Sequence, residues 1–192
     1  MGPTEVVVTA MLLAAPGGKD GGGPATPGWR EIAAAERTYD AETQAAAARA
    51  VESLAPDVRQ RVRETLEVMA RVPPGVAGIQ AAHDAMVAAM PGLEPPDADF
   101  SGEGPNRSVM RQAGELVLYG LVAREAKRVA GEAHPEAEAT ALLRKLAGLN
   151  GVDETTRGRL KEEARMGLGD ALYLRVLPQM ERTKKAQKEK KP

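Results

Sequence analysis

Apolar residues recur along this chain at helical spacing, and clusters of Gly and Pro interrupt them. The clearest stripe is Val58, Val62, Leu66 and Met69, spaced by four, four and three residues. That spacing puts all four on one helix face, while Arg59, Arg61, Arg63 and Glu64 fall largely elsewhere. Pro56 suits the first turn of this helix, where a missing N–H loses no intrahelical bond. Pro73-Pro74-Gly75 stops it.

The same reading extends in both directions. Trp29 to Tyr39 predicts a first helix with Ile32 and Ala35 on one side. Asp40 is placed to cap a second, which carries the alanine run Ala45 to Ala48 and continues to Leu54. Beyond the Pro-Pro-Gly stop, Gly78 to Met90 predicts a helix whose shared face is Ile79, Ala82, His83, Met86, Val87 and Met90. Pro91 to Pro105 has no helical period. Asn106 or Ser108 is expected to cap the next helix, which runs to about Ala130. Its middle, Leu116 to Ala123, is apolar on nearly every side, the pattern of a helix enclosed by its neighbours. Gly114 and Gly120 leave room for those neighbours, so this helix is expected at the centre of the bundle.

Pro135 opens a shorter helix with Leu142, Leu143, Leu146 and Leu149 facing inward. Asn150-Gly151 predicts a tight turn, and Asp153 a cap on a last long helix with Glu154 in its first turn. The stripe there is Leu160, Ala164, Leu168, Ala171 and Leu172, widening to Leu174, Val176 and Leu177. Gly167, Gly169 and Pro178 are expected to bend or weaken it. The fold class is therefore all-α, an irregular bundle of about six or seven helices, with a short strand at Glu5 to Leu12 as the one β candidate. Three regions follow: an N-terminal segment 1–28, a helical domain 29–180 and a basic tail 181–192. Residues 16–28, rich in Gly and Pro, read as a flexible linker.

Composition narrows the chemistry. There is no Cys, which removes disulfides, thiolate zinc sites and a cysteine nucleophile. Only two His occur, His83 and His134, and neither has a Glu three residues before it, as a carboxylate di-iron bundle requires. Lys19 follows glycines but precedes Asp20, so the phosphate-loop pattern fails. Gly-x-Ser-x-Gly is absent. The net charge is −1, with the excess of Lys in the tail, which gives no electrostatic case for specific nucleic-acid binding. No apolar run approaches the roughly 18 residues of a membrane span.

Two segments remain as candidate sites. The acidic loop 94–103 contains Asp97-Ala98-Asp99-Phe100-Ser101-Gly102, the first half of a calcium loop, with oxygens at alternate positions and Gly at the sixth. Asp97, Asp99, Ser101 and Glu103 are its candidate ligands and Ca2+ the cofactor it implies. The second half departs from the pattern, because Ser108 stands where a bidentate Glu is expected. The other segment is apolar: Val6, Val7, Val8, Leu12 and Leu13 are candidate partner-binding residues, able to dock into a groove on another protein or on the body of this one. The expected function is a non-enzymatic helical protein–protein interaction or scaffold module in the cytoplasm. The alternatives are a periplasmic or secreted helical protein with residues 1–15 as a cleaved signal, and a cation-binding protein using the acidic loop.

Overall fold

The computed structural model describes residues 27–34, 41–95 and 103–178. Among the described residues the fold is all-α, with no strand. Seven helices occur in the order α1 Trp29–Ala34, α2 Ala41–Ser53, α3 Pro56–Ala70, α4 Val76–Ala89, α5 Pro105–Ala130, α6 Glu136–Ala147 and α7 Glu154–Leu168. A 3-10 turn, Met90–Gly92, follows α4, and a further helical run, α8, occupies 170–178. None of the described helices is long and apolar enough to cross a membrane. The Glu5 to Leu12 strand, the Asp40 cap and the extension of α1 to Tyr39 lie outside the described residues.

The 26-residue α5 is the axis of the molecule, and α1, α2, α3, α4, α6 and α7 all pack on it. Every residue from Leu116 to Ala123 is buried, as the all-round apolar run predicts. With only 3% aromatic residues, the core closes by backbone approach rather than by bulk. A Cβ on Gly120 would overlap the carbonyl oxygen of Ile32 in α1, and one on Gly167 would stand 2.6 Å from the Cβ of Ala126. Trp29 is buried in α1, with the Arg30 guanidinium 5.4 Å from its ring centre. Glu52 joins the first three helices, bonding Arg30 at 2.5 Å and Arg63.

The predicted stripe of α3 is buried in full, and Pro56 occupies its first turn. Leu142, Leu143, Leu146 and Leu149 are buried as expected, and Gly151 takes the positive φ of a turn, 73°. Asp153 caps α7, its Oδ1 accepting the Thr156 N–H at 2.7 Å. Arg157, one residue further, donates to the carbonyls of Ala147 and Val152 and so ties off the end of α6.

Four expectations are corrected. Neither Asn106 nor Ser108 caps α5: Gly104 is the N-cap residue and Pro105 starts the helix. The Asn106 amide turns back instead to donate to the Leu93 carbonyl at 2.8 Å, beside a Leu93 side chain that is fully buried. The last helix, expected to bend or weaken at its glycines, breaks outright at Gly169, where φ is 76°, before α8 begins. That break rotates the stripe, leaving Leu172 and Val176 buried but Ala171 and Leu174 exposed, Leu174 by 63%. Val87, assigned to the inner face of α4, is 44% exposed, because it lies at the edge of that face.

Candidate functional site

A cleft of about 640 Å³ with many polar residues lies between α2, α5 and the start of α7, so three separate parts of the chain build it. The contribution of α5 is a stripe at helical spacing: Ser108, Arg111, Gln112, Glu115 and Tyr119. Glu42 and Thr43 face it from α2, and Asp153, Thr156 and Arg159 from the α7 end. Four carboxylates, Glu42, Glu103, Glu115 and Asp153, therefore line the cleft against two guanidiniums, Arg111 and Arg159.

Glu115 is at the centre of this arrangement. The Thr156 hydroxyl donates to its Oε1 at 3.0 Å. Arg111, Glu115, Asp153 and Thr156 also line a smaller adjoining cavity of about 150 Å³, together with Met86 and Met90. Glu115 thus borders both cavities and is half-buried. Burial raises its pKa above the ordinary 4.5, the Thr156 bond and Arg111 oppose that rise, and Asp153 and Glu103 add to it. Asp153 goes the other way, held below its ordinary value chiefly by the Thr156 N–H. Arg111 is drawn to the rim, where its Nε donates to Glu103 at 2.8 Å.

Of the sequence-predicted site residues, Val6, Val7, Val8, Leu12, Leu13, Asp97, Asp99 and Ser101 lie outside the described residues. Glu103 is described, and its carboxylate bonds Arg111. Glu94, the first acid of the same loop, curls under the start of α5, where its Oε1 accepts the Arg107 N–H at 3.0 Å. It does the work of the missing cap. Two carboxylates of the acidic loop thus have protein partners. No group of three or more His, Asp or Glu among the described residues is placed to hold a metal ion. His83 is 3% exposed, with Nδ1 3.3 Å from Asp84 Oδ1. His134 is exposed in the α5–α6 turn.

The cleft was missed at the sequence level, although half of it has a local signature. Ser108, Arg111, Glu115 and Tyr119 recur every three or four residues along the flank of the most apolar helix. The other half, from α2 and the start of α7, comes from residues distant in sequence and carries no such mark. The chain matches no protein-family model, no curated protein and no solved structure.

Proposed function

We propose that this chain is a non-enzymatic helical binding module whose cleft receives a basic side chain of another protein. One observation carries the reading: Glu115, a half-buried carboxylate whose charged form is opposed by burial, lies at the centre of a cleft with an excess of acids. A guanidinium or ammonium group placed beside it relieves that penalty, because an opposite charge at close range favours the ionised form. The Thr156 hydroxyl holds the carboxylate through Oε1. The surrounding acids would steer a basic segment toward the cleft, and Arg111 is already engaged by Glu103.

A raised carboxyl also suits a general acid. The binding reading is preferred because the described lining contains no His, Cys or Lys to complete a proton relay or serve as nucleophile. The test is an NMR titration of the full chain with a capped tetra-arginine peptide. The expected result is saturable shifts at the amides of Glu115, Asp153 and Thr156, lost in Glu115→Gln and weakened as pH falls and Glu115 takes up a proton. Shifts scattered over the surface and unchanged in Glu115→Gln overturn the reading.

A further inference from the structure

A second cavity, of about 300 Å³, lies between α5 and the α3–α4 turn. Its place on α5 is centred on Leu121 and Arg124. Arg124 is nine residues beyond Glu115, a half-turn around the helix and about 13 Å along it, so this cavity faces away from the polar cleft. Its walls are apolar: Ala70, Val72, Pro73, Ile79 and Leu121. Its one carboxylate, Glu125, is already saturated, accepting the Gly75 N–H at 3.0 Å and two bonds from Arg128. The rim carries Arg71 and Arg124, and Arg124 has no hydrogen-bond or ion-pair partner among the described residues. The site thus offers apolar contact with a cation at its edge.

Pro27 also lines this cavity, and it is the first described residue of the chain. Upstream of it the sequence holds one apolar run, Val6 to Leu13, with Glu5 immediately before it. Glu5 is the sole charged side chain in the first 18 residues. The apolar run matches the walls and Glu5 matches Arg124 and Arg71. The 13 residues between Leu13 and Pro27 have a maximum span of roughly 45 Å, ample for the run to turn back onto the cavity. A tether of that length holds it at an effective concentration on the order of millimolar.

We propose that residues 5–13 of the same chain dock over this cavity, with side chains of the apolar run filling it and Glu5 against Arg124. This inference is independent of the cleft and goes beyond the binding reading, since it assigns the apolar segment to an internal partner. The chain has no native Cys, so Thr4→Cys gives a single attachment point for a spin label next to Glu5. The expected result in the full chain is several-fold stronger relaxation broadening at the amides of Gly75, Ile79 and Arg124 than at those of Val152 and Arg159. Leu12→Asp/Leu13→Asp should abolish the difference, and Arg124→Glu should reduce it. Uniform broadening, or selective broadening that survives Leu12→Asp/Leu13→Asp, overturns the proposal. So does broadening in a mixture where label and isotope sit on different chains, since the occupant is then a second copy. Recovery of a chain from which residues 1–15 have been removed also overturns it.

Discussion

Gly120 of α5 rests directly against the carbonyl oxygen of Ile32 in α1, with no space for a Cβ between them. The obstacle is backbone, so it cannot swing aside as a side chain would. Gly120→Ala should therefore push α1 off the core and destabilise the fold by about 1 to 3 kcal/mol or more. Gly158 is the control: it lies within α7 with nothing within 4 Å of an added Cβ. Gly158→Ala should stabilise by about 0.5 to 1 kcal/mol through the better helix propensity of Ala. Urea denaturation of the two variants should move the midpoint in opposite directions.

Leu118 and Leu174 test where the core ends. Leu118 is 1% exposed on the enclosed helix, and Leu174 lies on the outer side of α8. Leu118→Ala should cost about 2 to 5 kcal/mol, the range for a leucine whose removal leaves a cavity. Leu174→Ala should fall within about 0.5 kcal/mol of the parent. Equal losses at the two positions would contradict the rotation of the apolar stripe at Gly169.

Glu94 caps α5 from outside the helix. Glu94→Ala should destabilise by about 1 kcal/mol, as expected when a helix start loses its acceptor. Glu94→Gln keeps an oxygen for the Arg107 N–H and should cost less. Amide exchange should show the loss first at residues 106–108, with Arg107 foremost. Exchange faster throughout the protein, with no excess there, would argue against a capping role.

Glu115 makes a pH-dependent prediction. Its folded pKa is above its ordinary value, so the folded state holds the proton more tightly than the unfolded one. Stability from this group is then greatest at low pH and declines as pH rises from about 4.5 through the folded value. Glu115→Gln keeps an acceptor for Thr156 and removes the charge. It should melt higher than the parent at pH 7 and match it below pH 4.5. A lower melting temperature at pH 7 would mean that the ionised form is the stabilising one.

Helix positions were legible where a stripe or a stop had a local cause. Val58, Val62, Leu66 and Met69 mark α3 by spacing, and Pro56 and Asp153 mark helix starts by their chemistry. What escaped depended on residues distant in sequence or on a single dihedral. Nothing near Glu94 shows that its carboxylate will reach Arg107, 13 residues away. Gly169 is marked as a weak point by its residue type, but the apolar periodicity continues past it, so the rotation of the stripe that its positive φ produces was not legible in the pattern. The cleft has the same character: its α5 stripe is visible in the sequence, but its identity as a site depends on α2 and α7 closing around it. The candidate residues of segment 1–28 and of the loop around Asp97 and Asp99 lie outside the described residues.

Trp29 is the only indole in the chain, and it sits on a helix of six residues whose hold on the core runs past Gly120. Its emission is therefore a built-in optical reporter for one small element rather than for the bundle as a whole. Far-UV ellipticity, dominated by α5 and its long neighbours, reports the rest. If the two signals part company on a denaturation curve, the gap between them measures how independently α1 comes away, and a single chromophore placed by nature gives a local free energy without any added dye.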